Sequence, residues 1–191
     1  MTVGQTSGSA PSVRLADTPV LQTERLVLRA PAAEDWEAWR AFFVSDRARF
    51  IRPGAPSDAA AWRAFGHAIG HWVMRGFGMF VFAARGGDTA LGMAGPWFPA
   101  GWPEREIGWT VWAEEAEGRG FAFEAAMAAR RYAYDRLGWP AAVSYIEAGN
   151  TRSIALAERM GAVHDAGASA PDWEDGAEVR VYRHPAPEAL R

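Results

Sequence analysis

Two glycines, Gly118 and Gly120, stand where a loop gives way to a helical pattern, in the run Glu117-Gly118-Arg119-Gly120-Phe121-Ala122. Glycine tolerates positive φ and lets the backbone approach a ligand closely. The first N–H groups of a helix have no acceptor inside it and lie at its positive end. Together these features make a seat for phosphate or diphosphate, with Arg119 adding charge at the rim. The run lacks the Lys-Ser/Thr pair of a Walker loop, and Phe123 occupies the third glycine position of a dinucleotide fingerprint. The plain alternative is a flexible loop that ends in glycine before a helix. A second pair, His67 and His71, lies four residues apart on one helix face. A metal needs further ligands and no spacing marks them, so a surface or groove role is expected and no metal.

Composition narrows the chemistry further. The chain has 191 residues, enough for one domain. It has no cysteine, which excludes disulfide scaffolds, thiolate metal sites and a cysteine nucleophile. The net charge is -3 and no basic run occurs, so no nucleic-acid surface is expected. All 20 basic residues are arginine, but 23 acids outnumber them, so the arginines read as compositional bias rather than an anion-binding signal. No stretch of 18 apolar residues exists and the start lacks a signal peptide's features. A cytoplasmic protein without membrane contact is expected.

The elements that position these residues follow from pattern. Residues 1–18 are small and polar at first and read as a disordered tail; a single domain is expected over 19–188. Alternation over 21–29 predicts a first strand. Pro31, with Glu34 and Asp35 at the positive end, opens a helix carrying Trp36, Trp39, Phe42 and Phe43. Ser57 caps a second helix with Trp62, Phe65, Ile69, Trp72 and Val73 as its apolar stripe, ended by Gly76. Strands follow at 79–84, 91–97 and 104–112, then a long helix at 121–137, a fifth strand at 142–147 and a short helix at 153–160. Two last strands fit 162–164 and 177–184. The mixture is α/β or α+β, a central sheet flanked by about four helices.

Here the chain resembles the GNAT N-acetyltransferases, and within them the RimJ/RimL-like branch, over about residues 21 to 184. The family's phosphate motif, Gln/Arg-x-x-Gly-x-Gly/Ala, falls on residues 117–122, with Glu117 departing in charge at its first position. Leu26-Val27-Leu28-Arg29, Glu106-Ile107-Gly108-Trp109, Glu124-Ala125-Ala126 and Asn150-Thr151-Arg152-Ser153-Ile154 with Glu158-Arg159-Met160-Gly161-Ala162 resemble further family segments in the same order. The resemblance implies a mixed, mostly antiparallel sheet of six to seven strands, splayed between the fourth and fifth. It implies acetyl-CoA as donor. The diphosphate then rests on Gly118, Arg119, Gly120, Phe121, Ala122 and Phe123. The pantetheine arm pairs with the backbone near Trp109, Val111 and Trp112, and Asn150 and Ser153 reach the cofactor from the other side.

Acetyl transfer to an amine needs a neutral amine, a stabilised oxyanion and a proton for the leaving thiolate. Glu106 is the expected base, facing the same way as Gly108 and Thr110, acting through water or with a pKa raised by burial. A carboxylate paired with Arg105 is the alternative. The tyrosine that many family members use as acid is matched by Ala157, which leaves Ser153 or Tyr145 as candidates. Phe50, Arg52, Trp97 and Trp102, with Phe98, are candidates for an acceptor pocket. The expected function is N-acetylation of a protein N-terminal α-amine or a small amine by a monomer or homodimer. The alternative is an acyl-CoA-binding sensor or interaction module without catalysis.

Overall fold

The computed structural model describes residues 14–52, 54–172 and 176–190. Most of the expected tail lies outside them, though Arg14 bonds Glu34 at 2.6 Å and Leu15 packs on the core. The stretch expected as one opening strand folds as two. The Thr23 amide donates to the Leu26 carbonyl and the Leu26 amide donates back to the Thr23 hydroxyl. That turn leaves β1 (Leu21–Gln22) antiparallel to β2 (Leu26–Arg29). The remaining strands are β3 (Phe80–Ala84), β4 (Ala90–Trp97), β5 (Glu106–Val111), β6 (Val143–Glu147), β7 (Val163–His164) and β8 (Val179–Arg183). The sheet therefore has eight strands, one more than the seven expected at most, in the order β1-β2-β3-β4-β5-β6-β8-β7. All neighbours are antiparallel except β5 and β6.

Four helices flank it: α1 (Trp36–Phe43), α2 (Asp58–Arg75), α3 (Phe121–Asp135) and α4 (Thr151–Arg159). Successive residues of a strand face opposite sides. Val81 accordingly packs with α1 and α2, while Phe80 and Phe82 pack with Phe121 and Ala125 of α3. The inner face of α3 is alanine at 125, 126, 129 and 133, all fully buried, so this helix lies close on the sheet. The stripe expected on α2 is corrected in phase. Ala61, Phe65, Ala68 and Trp72 are buried, at spacings of four and three that mark one helix face. Trp62 and Val73 sit off that face and are 64% and 71% exposed; Trp62 instead meets Trp36 edge-on at 5.0 Å. Asp35 does more than favour a helix end. It is buried, accepts two bonds of 2.7 Å from Arg29 and one from the Ala32 amide, and so fastens α1 to β2.

Candidate active site

The two parallel strands part almost at once. β5 and β6 are in register only at Glu106 opposite Val143, and the Val143 amide donates to the Arg105 carbonyl at 2.9 Å. β5 meanwhile stays paired with β4 as far as Val111. Its other edge beyond the first residues faces no strand, which is the expected splay. The start of α4 closes the far side. Asn150 caps this helix by accepting the Ser153 amide at 3.2 Å, and the Trp109 indole donates to the Ser153 hydroxyl across the gap at 3.3 Å. Ser153 thus faces β5, with Asn150 beside it at the helix cap.

From the end of β5 the chain runs into the paired glycines. Gly118 and Gly120 adopt φ of 71° and 77°, and Gly120 is the N-cap of α3. No side chain caps this end, and its first amides have no protein acceptor among the described residues. Arg25 braces the loop from below: it donates to the Arg119 carbonyl at 3.0 Å and to Glu124 at 2.6 Å, while Thr23 also bonds Glu124. Arg25 and Arg119 lie over the Phe121 ring, each 4.8 Å from its centre, and that ring is buried. Phe121 therefore presents only its backbone to the cradle. Phe123 is half-buried under Arg159, 4.1 Å from its ring centre.

Glu117, the residue that departs from the family motif, is held by two arginines. Arg47 bonds it at 2.6 and 2.8 Å and Arg152 at 2.6 Å. Burial pushes this carboxyl up, but the two guanidinium groups outweigh it and hold it below the usual range. Arg47 also donates to the carbonyls of Trp112 at 2.6 Å and Val111 at 3.1 Å. The Val111 and Trp112 carbonyls are already engaged, and the Trp112 ring is buried against Trp39 with its indole bonded to Thr110. Trp109, by contrast, stays at the mouth of the splay.

At the root of the splay stands Glu106. Its Oε1 lies 3.6 Å from where a Cβ on Gly108 would be, so the two share a face as expected. The Trp102 indole donates to Glu106 at 2.7 Å. Loss of water pushes the carboxyl up to about 7, against the opposing bonds from the Trp102 indole and the Tyr145 backbone amide. The Tyr145 hydroxyl accepts the Glu104 amide at 2.9 Å, its ring meets Trp102 edge-on, and burial pushes the phenol up to about 12. Glu104 is bound to Arg183 at 2.7 and 2.9 Å and held below its ordinary range by it.

The expected acceptor residues divide. Phe50 lies 3.6 Å from where a Cβ on Gly149 would be, beside the end of β6, and Trp102 touches Glu106. Arg52 commits one Nη to the Phe43 and Ser45 carbonyls and so ties the end of α1, while its buried Nε has no partner among the described residues. Trp97 turns to α2, stacked on His71 at 4.4 Å and edge-on to His67 at 4.9 Å. His71 bonds the Phe77 carbonyl through Nδ1 and accepts the Phe98 amide at Nε2, which fixes the neutral ring. Burial lowers its pKa accordingly. The histidine pair thus carries the loop that bears Trp102. Arg25, Arg47 and Glu124 escaped the sequence reading, because their partners lie up to 101 residues away. Glu124 alone gave a signal, as part of a motif helix.

A family model for the acetyltransferase (GNAT) domain matches residues 25–163. Among solved structures, the chain is 35% identical to an acetyltransferase from Agrobacterium tumefaciens str. C58, with 93% of this chain and 99% of that one covered and a TM-score of 0.79. A GNAT-family acetyltransferase from Bacillus anthracis shares the fold at 20% identity, over 87% and 96% of the two chains, with a TM-score of 0.69. So does RimL, the ribosomal L7/L12 alpha-N-protein acetyltransferase in complex with coenzyme A, at 18% identity over 88% and 98%, with a TM-score of 0.68.

Proposed function

Because the chain belongs to the GNAT acetyltransferase family, we propose that it moves the acetyl group of acetyl-CoA onto a primary amine by direct attack, Glu106 serving as the base. The observation that carries this reading is the Glu106 carboxyl at the root of the splay, held there by the Trp102 indole at 2.7 Å where β5 and β6 part. The residues fit the donor. The uncapped amides at the start of α3 suit a diphosphate, and a Cβ on Gly118 would meet nothing within 4 Å, so the approach is open. When bound, acetyl-CoA supplies a thioester already activated toward an amine.

The remaining work falls to the chain. The amides of 118–123 hold the diphosphate, and the free edge of β5 at Trp109 orients the arm. Glu106 is about half ionised at neutral pH and takes a proton from the incoming ammonium, a contribution of about 10²–10⁴-fold for a well-placed base. Trp102 fixes the carboxyl's direction through its indole bond. Tyr145 stays protonated with its raised pKa, and Ser153 offers a hydroxyl on the opposite wall; either can supply the leaving thiolate's proton. A protein α-amine, with a pKa of about 7.7–8.0 against about 10.4 for lysine, suits a base of this strength. The shared fold of the coenzyme-bound α-N-acetyltransferase supports that acceptor class.

The test is thiol release from acetyl-CoA against a panel of peptide α-amines and small amines. Turnover on at least one, lost in Glu106→Gln with coenzyme affinity retained, is the expected result. Tight coenzyme binding without turnover on any amine contradicts it and favours a binding module.

A further inference from the structure

A lone carboxylate beside an anion seat repels what the seat binds. Glu117 stands in that position, immediately before Gly118. Its partners reverse the sign. Arg47 bonds Oε1 of Glu117 and Arg152 bonds Oε2, so the three side chains carry one more positive charge than negative. The two arginines differ in what they have left to give. Arg47 has a side chain 26% exposed and engages all three of its nitrogens: Nε and Nη2 on Glu117, Nη1 on the Trp112 carbonyl, and Nη2 on the Val111 carbonyl as well. It belongs to the frame. Arg152, in the first turn of α4, has a side chain 82% exposed and donates only through Nη1. Its Nε and Nη2 have no acceptor among the described residues.

An ion pair with so exposed an arginine adds little to the fold. What it does is geometric. A guanidinium is a rigid plane of donors, so a carboxylate that holds one nitrogen limits where the others point. The bond also joins α4 to the residue that enters the seat, across 35 positions of sequence. Arg119, the cation inside the glycine loop, lies over the Phe121 ring instead, and a Cβ on Gly118 would meet nothing within 4 Å. We infer that Arg152 is a further coenzyme-binding residue, and that Glu117 is the positioning residue that aims its guanidinium at the diphosphate seat on 118–123. The seat is then held from two helices, by the amides of α3 and by a side chain of α4. Arg47 keeps Glu117 in place from behind, through the carboxylate oxygen that Arg152 does not use.

The inference rests on the reading that the coenzyme's diphosphate occupies this seat. The experiment is calorimetric binding to the full chain, without turnover, for the wild type, Arg152→Met, Glu117→Gln and the double variant. The probes are coenzyme A and dephospho-coenzyme A, which lacks the 3′-phosphate and keeps the diphosphate. Arg152→Met is expected to raise Kd about tenfold for both probes, the loss of one charge-assisted contact. Glu117→Gln keeps an oxygen for Arg47 but turns an amino group toward Arg152, which then has no acceptor. It is expected to weaken binding too, although it removes a negative charge from beside an anion, and Arg152→Met then costs less in that background. Unchanged or tighter binding in Glu117→Gln overturns the inference, because Arg152 would then only neutralise the carboxylate. So does an equal effect of Arg152→Met with and without Glu117, or a loss seen with coenzyme A and absent with dephospho-coenzyme A, which would put Arg152 on the 3′-phosphate. A wild type that binds neither probe overturns the seat and this inference with it. A wild type that binds both, with Arg152→Met unaffected, overturns the inference alone. Arg152 is exposed enough that its replacement leaves the fold intact, so the single variant gives a result even if Glu117→Gln does not fold.

Discussion

Replacing Glu106 by Gln separates stability from function in opposite directions. In the fold this carboxyl has a pKa of about 7 rather than its ordinary 4.5, because desolvation outweighs the bonds from Trp102 and Tyr145. Between those two pH values the folded chain holds a proton that the unfolded chain has lost. Stability therefore falls as pH rises through this window and levels off above about 7. A displacement of that size corresponds to about 3 kcal/mol at most. Gln has the same shape and no charge, so it is free of this loss. Urea unfolding of both proteins at pH 4 and pH 8 measures it. The stability difference is expected to shift in favour of Gln by up to about 3 kcal/mol between the two, while thiol release is lost. A difference that does not change with pH would refute the argument, since it would mean the carboxyl is not disfavoured in its charged form.

Three further outcomes follow from the same geometry. Gly120→Val puts a β-branched residue at φ 77°, with its Cβ 3.5 Å from Arg25 Nη2; coenzyme affinity in calorimetry should fall sharply and stability by about 1–3 kcal/mol. Arg47→Met strips the Val111 and Trp112 carbonyls and one partner of Glu117, and should cost about 1–3 kcal/mol in chemical denaturation. His71→Phe keeps the stack on Trp97 but leaves the Phe77 carbonyl and the Phe98 amide unpaired. The loop carrying Trp102 should loosen, so that KM for the amine rises more than KM for acetyl-CoA in steady-state kinetics.

The sequence disclosed the order of elements because local signals agree: alternation in the strands, Ser57 and Gly76 at the ends of α2, and the paired glycines before α3. Its alternation also put Glu106 and Gly108 on one face of β5, as the structure has them. Where it failed, a distant partner decided. Thr23 divides the first strand and bonds Glu124, 101 residues on. The α2 stripe slipped by one position because Trp62 outweighs Ala61 in apolar area, yet the small residue is what the packed face accepts. Arginines were the least legible. Arg52 and Arg47 are equally polar in sequence, and only the fold shows that one ties the end of α1 while the other joins the end of β5 to Glu117. The raised pKa of Glu106 is likewise a property of burial, which residue type and spacing do not encode.

The central claim is that the amides around Gly118 and Gly120 seat a diphosphate and so direct a thioester into the gap beside Glu106. A crystal structure with coenzyme A tests it most directly. The account predicts the diphosphate on the amides of 118–123 and the sulfur between β5 and β6, on the side of Glu106. A coenzyme bound elsewhere, or a thiol pointing away from that carboxylate, would contradict it.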